Sequence, residues 1–434
     1  MNPGRAISIV NGRIIDPANG VDAILDLHLS DEKILALGSR PEGFQADQTI
    51  DASGLIVCPG LVDLSARMRE PGHEYEASLR SEIWAAVGGG ITTLCCPPDT
   101  EPVIDTPAMA TLVQERAQRI GNARVLPVGA LSKNLKGDQL SEMATLQQAG
   151  CVALGNADLP LANSLVERRA LEYAATFGIL VMLRPEDRHL RNSGCAHEGP
   201  VASRLGLPGI PEAAESVALA RDLILAEHTG CRIHFRGLSC ATAVNKLALA
   251  RQQRLQVSAD VAAHQLHLTE MDIDGFNSDC HVSPPLRSLA DREALREGVA
   301  NGTISAICSD HQPHDADAKA APFAATAPGI SGLDTLLALT LKLVDEGVLE
   351  LSEAIARVTC GPADILGVDL GRLSRGCSAD ICIFDPHRHW ELSRDEMLSA
   401  GHNTPFLGWE FRGRVVHTLF EGRPVFSESN EMAN

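Results

Sequence analysis

The apolar residues of this chain occur in short runs, and the spacing between the runs changes twice along the sequence. Residues 7–57 contain four strand-like runs joined by turns, and the first run, 7–10, precedes the hairpin signal Asn11-Gly12. No helical period occurs in this region. After the helical stretch 351–366, short apolar runs typical of strands return. Both ends of the chain are therefore predicted to form β-structure.

Between these ends, strand, loop and helix alternate eight times. Helix signals include a cap and a proline at 105–107 and a glycine stop at 88–90. Eight such units predict an α/β fold, a (β/α)8 TIM barrel, with a small composite β-sandwich domain built from both termini. The predicted boundaries are 1–54 and 367–434 for the β-sandwich and 55–366 for the barrel. The predicted barrel strands are 55–58, 91–96, 124–128, 151–154, 179–183, 232–235, 255–261 and 303–308.

Composition and charge limit the cellular location and the binding partners that can be expected for this chain. The formal net charge is -19, and such an acidic surface repels nucleic acid and anionic membranes, so neither is an expected partner. No apolar run is long enough to span a bilayer, and residues 1–5 lead into a strand without a signal-peptide core. The 12 cysteines lack the spacing of a disulfide framework, which predicts reduced thiols and a cytoplasmic protein.

Chemistry in such a barrel belongs to the C-terminal ends of the strands. Six motifs distributed along the chain are similar to those of a known family. They are Pro59-Gly60-Leu61-Val62-Asp63, Arg69-Glu70-Pro71-Gly72, Gly89-Gly90-Ile91-Thr92-Thr93, Pro284-Pro285-Leu286-Arg287, Asp310-His311-Gln312-Pro313-His314 and Asn403-Thr404-Pro405-Phe406. Together they resemble the dihydroorotases of the cyclic amidohydrolase group over nearly the full chain. The resemblance implies hydrolysis or closure of a cyclic amide by a hydroxide bridging two divalent metal ions, usually zinc. It also implies that histidines and carboxylates hold the metals.

The positions that match the metal ligands of this family have mostly changed type. The degenerate metal positions are Ser65, Arg67, Ala157, Arg184 and Gly237. A neutral alcohol and a permanent cation cannot replace imidazole ligands on zinc. By the resemblance, only Asp310 retains its type; in the family it binds one metal and shuttles a proton. We therefore expect no metal site and no cofactor, with Asp310 as an inactive catalytic remnant.

The positions that match the substrate pocket are partly retained. Arg69 and His314 match groups that bind the dihydroorotate carboxylate, whereas Asp99 and Ser283 each replace an asparagine. An aspartate facing a substrate carboxylate is repulsive, which argues against productive binding.

Arg67 and Arg184 are expected to project into the barrel mouth, where the family holds its metals. There the two guanidiniums would neutralise Asp310, because an unpaired buried carboxylate is costly. The alternative is that both arginines turn out to solvent.

These changes predict an inactive dihydroorotase homologue of pyrimidine biosynthesis. By the resemblance, such chains are structural partners of aspartate transcarbamoylase, so the expected partner is its catalytic chain, bound by a homodimer within a larger complex. One alternative is a working enzyme, either a dihydroorotase with a rebuilt site or a metal-free amidohydrolase or isomerase that uses Asp310, His314 and Arg69. Another is a sensor whose Arg67, Arg69, Arg184 and His314 hold a carboxylate without reacting it.

Overall fold

Strands from both ends of the chain form one sheet of eight strands in the computed structural model, which describes residues 6–428. Strand Ile56–Pro59 pairs antiparallel with strand Ile381–Glu391, and this pairing joins the N-terminal strands to the C-terminal ones. The composite β domain is thus confirmed: seven strands form one hydrogen-bonded path, and Gln48–Asp51 pairs beside it with Ala6–Asp16. The expectation for residues 1–5 lies outside the described part. The strands are Ala6–Asp16, Val21–Ser30, Lys33–Leu37, Gln48–Asp51, Ile56–Pro59, Ile381–Glu391, Glu410–Phe420 and Arg423–Ser427.

The β domain has a core of its own because alternate side chains of its strands point to one face. Ile7 and Ile9 are fully buried, as are Leu27 and Leu29 on the neighbouring strand. They pack with apolar residues of the C-terminal strands, such as Ile383, in one cluster. A period of two residues is the pattern expected for strands with one buried face.

The central part of the chain forms a second sheet of eight strands, all parallel. A parallel bridge between Ala66 and His311 links the chain just beyond the first and last strands. The predicted TIM barrel is therefore confirmed. Its strands are Leu61–Asp63, Ile91–Cys96, Arg124–Ala130, Ala153–Gly155, Val181–Leu183, Ile233–Phe235, Val257–Ala262 and Ala306–Cys308.

One predicted barrel strand was wrong. Residues 56–58 of the predicted strand lie in the β-domain strand Ile56–Pro59, and the first barrel strand is Leu61–Asp63. Gly60 separates the two, and a Cβ atom there would lie 2.2 Å from Oγ1 of Thr92. The apolar run around Gly60 thus forms two strands, because the chain passes at Gly60 from the sheet of the β domain to the sheet of the barrel.

Helices follow the barrel strands and cover the barrel, as the capping signals predicted. Helix Pro107–Ile120 starts with a proline in its first turn, and helix Leu79–Gly88 starts with a capping box of Ser78 and Ser81. Within residues 6–428, no helix is both long and apolar enough to cross a membrane. The helices are Leu79–Gly88, Pro107–Ile120, Met143–Gln148, Ser164–Phe177, Arg188–Arg191, Pro200–Leu205, Ala213–Thr229, Ala241–Gln252, Leu289–Ala300, Ala316–Lys319, Leu336–Asp345, Leu351–Val358 and Cys360–Leu366.

Candidate functional site

Three arginines and three aspartates gather at the mouth of the barrel. Each follows a different parallel strand, and the C-terminal ends of parallel strands meet on one face of the barrel. These six side chains form a network that we call the mouth cluster. Its members are Arg67, Arg184, Arg236, Asp99, Asp158 and Asp310.

Arg67 lies at the centre of the mouth cluster with only 7% of its side chain exposed. Its Nε donates to Asp99 Oδ2 at 2.7 Å, and its Nη2 donates to Asp158 Oδ2 at 2.6 Å. Its Nη1 lies 3.9 Å from Asp310 Oδ1. Burial alone would lower the pKa of Arg67, but Asp158, Asp99 and Asp310 outweigh it and raise the pKa. The guanidinium is therefore a permanent charge held inside the mouth, not a side chain turned to solvent.

Arg184 makes a different contact from the one expected. Its Nη1 lies 2.9 Å from Asp158 Oδ1, and its Nη2 donates to Ser283 Oγ at 2.7 Å. Asp158 thus lies between Arg67 and Arg184. Burial would raise the pKa of Asp158, but the two arginines hold it well below its ordinary value. The expectation that Arg184 pairs with Asp310 is corrected, because Asp158 lies closer to its guanidinium.

Asp310 is held mainly by hydroxyl and amide donors. Ser65 Oγ donates to Asp310 Oδ1 at 3.0 Å, and Gln312 Nε2 donates to Oδ2 at 3.3 Å. Arg236 donates to Ser65 Oγ at 2.6 Å and lies 4.0 Å from Asp310. Arg67 lies near Asp310 as expected. The second arginine near Asp310 is Arg236 and not the expected Arg184. Sequence reasoning missed Arg236, although its place at the end of the sixth barrel strand was a usable signal.

The backbone at these strand ends takes conformations that most residues avoid. Arg69, Ala157 and Asp310 have positive φ angles of 58°, 50° and 45°. Left-handed non-glycine residues cluster at active sites and ligand clamps. Ala157 is 4% exposed and packs with Ala130 and Leu135, so it contributes no polar group to the mouth cluster. The strand ends therefore have backbone conformations of the kind found at functional sites.

Gly237, the degenerate position after the sixth strand, has a positive φ of 61° and also contributes no side chain. Its main-chain N–H donates to Asp260 Oδ1 at 2.6 Å. The other carboxylate oxygen, Asp260 Oδ2, lies 3.0 Å from His234 Nε2 in a fully buried pair. Asp260 therefore holds both the Gly237 backbone and the His234 imidazole by buried polar contacts.

Arg69 and His314 lie together, as their match to a carboxylate-binding pair predicts, but an acidic side chain of the chain itself accompanies them. Arg69 Nε lies 2.7 Å from Glu76 Oε2 and donates to the Pro313 carbonyl at 2.8 Å. His314 Nδ1 lies 3.5 Å from Glu76 Oε1. Burial would raise the pKa of Glu76, but His314 and Arg69 outweigh it and lower the pKa. Glu76, missed from the sequence, already places a negative charge beside Arg69 and His314.

The residues at the mouth do not fit a dinuclear zinc site. Ser65, Asp158, Arg184, Arg236 and Asp310 are among the residues that enclose a cavity of about 10 Å³, which is room for about one water molecule. Within residues 6–428, no group of three or more His, Cys, Asp or Glu side chains is arranged to hold a metal ion. Three carboxylates line this cavity, and each already has partners within the chain. Asp158 pairs with Arg184, Asp260 accepts from the Gly237 N–H, and Asp310 accepts from Ser65 and Gln312.

A parallel eight-stranded barrel with a composite β domain and polar groups at its strand ends defines the amidohydrolase class of fold. A family model described as Amidohydrolase family matches residues 193–425, and one described as Dihydro-orotase-like matches residues 54–241. The chain belongs to the amidohydrolase superfamily as a dihydroorotase-like member.

Relatives with similar sequences cover almost the whole chain. A protein named dihydroorotase-like protein from Pseudomonas aeruginosa is 51% identical over 416 residues, which is 96% of this chain and 98% of the relative. A protein named dihydroorotase from Citrifermentans bemidjiense is 42% identical over 421 residues, covering 96% of this chain and 99% of the relative. L-hydantoinase from Arthrobacter aurescens has the same fold, with a TM-score of 0.86 at 24% identity, covering 97% of this chain and 96% of that one.

Proposed function

We propose that this chain is a dihydroorotase homologue that does not hydrolyse cyclic amides and acts as a structural partner of aspartate transcarbamoylase. One observation supports the proposed lack of hydrolysis: buried arginines occupy the positions in the barrel mouth where metal ligands would be needed. Arg67 and Arg184 share Asp158 at 2.6 and 2.9 Å, and Arg236 lies beside Asp310.

The chemical reason is that activation of water needs a metal that these side chains do not hold. A bound metal lowers the pKa of water from about 15.7 to about 7, which supplies hydroxide at neutral pH. Guanidiniums repel a metal cation and have no lone pair to donate to it. Asp310 keeps its carboxylate, but Ser65 and Gln312 already donate to it.

The retained substrate positions give little support to the alternative functions. A carboxylate sensor would need cations without partners, yet Arg69 pairs with Glu76 and Arg67 pairs with Asp99. A metal-free enzyme that uses Asp310 would need room for a ring beside it, and the adjacent cavity holds about one water molecule.

The surface of the barrel supports a role in assembly. Exposed large apolar side chains lie on four helices that contact each other in sequence order, Ser164–Phe177, Ala213–Thr229, Ala241–Gln252 and Leu289–Ala300. Such side chains suit a protein interface, and an intact barrel core is needed to present them. They are Leu165, Val217, Ile224, Leu249 and Leu289, each between 50% and 65% exposed.

The first test measures catalysis. Purified protein supplemented with zinc is assayed for dihydroorotate hydrolysis and for carbamoyl aspartate cyclisation, with the Citrifermentans relative named dihydroorotase as the positive control. We expect no turnover above the rate without protein in either direction. Turnover that is abolished by Asp310→Asn would overturn the proposal and establish a rebuilt active site.

The second test measures assembly. The chain is mixed with the catalytic chain of aspartate transcarbamoylase from the same organism, and the mass is followed by light scattering during size-exclusion chromatography. We expect a complex larger than either component, weakened by Ile224→Glu but not by Ile24→Glu on the β domain, where Ile24 is 74% exposed. Separate elution of the wild-type chains would refute the partnership and leave the inactivity proposal standing.

A further inference from the structure

A second cluster of arginines lies at the opposite end of the barrel from the mouth. Arg232 immediately precedes the sixth barrel strand, and Ser258 and Ser305 lie at the starts of the seventh and eighth strands. Together with Arg251 and Arg357 they line a cavity of about 630 Å³. Small-molecule pockets in proteins commonly measure about 300–1,000 Å³, so this cavity, which we call the basal cavity, has a suitable size.

Main-chain carbonyls hold the three guanidiniums of the basal cavity in place. Arg357 donates from Nε and Nη2 to the Val299 carbonyl at 3.0 and 2.9 Å. Arg251 donates to the Thr303 carbonyl at 2.7 Å, and Arg232 donates to the Ile365 carbonyl at 3.0 Å. Neutral carbonyls orient a guanidinium but leave its positive charge uncompensated. The cavity wall is thus arranged and charged before any ligand arrives.

No carboxylate balances these charges by direct contact. Among residues 6–428, none of the three arginines has an ion pair within 4.0 Å. Asp364 also lines the cavity, but it pairs with Arg372 at 3.1 Å. The buried Nε of Arg232 has no hydrogen-bond partner in the described structure. Although the chain has a net charge of -19, three arginines without an ion pair among residues 6–428 make this cavity locally positive and suited to an anion.

We propose that the basal cavity binds the phosphate groups of a small organic phosphate. Arginine matches phosphate because its planar fork donates two parallel hydrogen bonds, and three guanidiniums suit an anion with more than one charge. Leu255, Val257 and Ile365 add an apolar wall that fits the organic part of the ligand. The cavity lies on the opposite face from the mouth, so this proposal does not depend on the proposed function.

Cys360 offers a test in the unmodified protein, because it lines the basal cavity and is half-buried. Among the cysteines of residues 6–428, Cys377 is the other one that is not buried, and it lies outside the cavity. Alkylation of the two thiols is followed by mass spectrometry with and without inorganic pyrophosphate at constant ionic strength. We expect saturating pyrophosphate to slow alkylation of Cys360 on the order of tenfold and to leave Cys377 unchanged. Equal rates for Cys360 with and without pyrophosphate would overturn the proposal.

Variants and ligands then identify the contacts and the ligand source. By calorimetry, Arg357→Gln and Arg232→Gln should each weaken pyrophosphate binding about tenfold or more, since each removes a charged phosphate contact. Arg254→Gln should bind pyrophosphate as the wild type does, because exposed Arg254 follows the helix Ala241–Gln252 that carries Arg251 but does not line the cavity. Tighter binding of ATP than of pyrophosphate would support an organic phosphate as the ligand. Tighter binding of pyrophosphate than of ATP would overturn the claim that the ligand has an organic part. Unchanged binding by both cavity variants would refute the site.

Discussion

Replacing Arg67 by methionine tests directly whether the mouth cluster is held together by buried charge. The substitution keeps much of the apolar stem but removes the guanidinium that contacts Asp99 and Asp158. Breaking a buried ion pair costs about 3–5 kcal/mol because it leaves an uncompensated charge. The partner carboxylates are 27% and 29% exposed, so solvent screening reduces the expected loss to about 2–4 kcal/mol.

This loss is measurable as a fall in Tm. For 434 residues, the entropy of unfolding is about 0.9 kcal/mol/K, so we expect Arg67→Met to lower Tm by about 2–5 °C in differential scanning calorimetry. Asp99→Asn in the Arg67→Met background should recover part of the loss, because it removes one of the charges left without a partner. The double-mutant cycle should give a coupling of about 1 kcal/mol or more.

An exposed ion pair provides the matched control. Arg119 and Glu115 lie 3.4 Å apart on one helix, with 77% and 55% of their side chains exposed. The cycle of Arg119→Met and Glu115→Gln should give a coupling of about 0.5 kcal/mol or less. If the Arg67 and Arg119 cycles gave equal couplings, Arg67 would be a solvated side chain and the argument from buried charge would fail.

Three further predictions concern acid stability, backbone strain and metal removal. Burial lowers the pKa of His267 to about 4, so as the pH falls this histidine is protonated in the unfolded chain before it is protonated in the folded one. Between pH 6.5 and 4, the free energy of unfolding of the wild type should therefore fall by up to about 3 kcal/mol more than that of His267→Gln, measured by urea titration. Gly371→Ala should lower Tm by clearly more than Gly178→Ala does. Both glycines have a positive φ, but a Cβ atom at position 371 would lie 2.6 Å from the Thr359 backbone, whereas a Cβ atom at position 178 would meet nothing within 4 Å. Prolonged dialysis against a chelator should leave Tm unchanged, and a loss of several degrees would reveal a structural metal.

The sequence was sufficient to predict where the mouth residues lie but not which of them pair. Parallel strands bring their C-terminal ends together, so Arg67, Arg184 and Asp310 were correctly expected near one another. Long side chains reach several carboxylates from one position, and the sequence does not specify the rotamer. Asp158 lies one residue beyond the matched ligand position, and Ala157 before it has a positive φ. That local backbone turn, invisible in the sequence, makes Asp158 the shared partner of two arginines.

The first barrel strand shows a different limit. Residues 55–64 form a nearly continuous apolar run, and periodicity alone does not divide such a run between two sheets. The division depends on Gly60 passing close to Thr92, which is a contact between distant parts of the chain. Glu76 was missed for a similar reason, since nothing in its local sequence shows that it meets Arg69 and His314.

The sharing of Asp158 between Arg67 and Arg184 has an evolutionary consequence. Placing a neutral histidine at position 67 would remove a positive charge from beside both Asp99 and Asp158 before any metal could compensate their charges. The same holds at position 184, where the change would leave Asp158 with one cation. Under the proposed function, each single substitution towards a metal ligand therefore lowers stability without completing a ligand set. Metal hydrolysis would then require several substitutions at once.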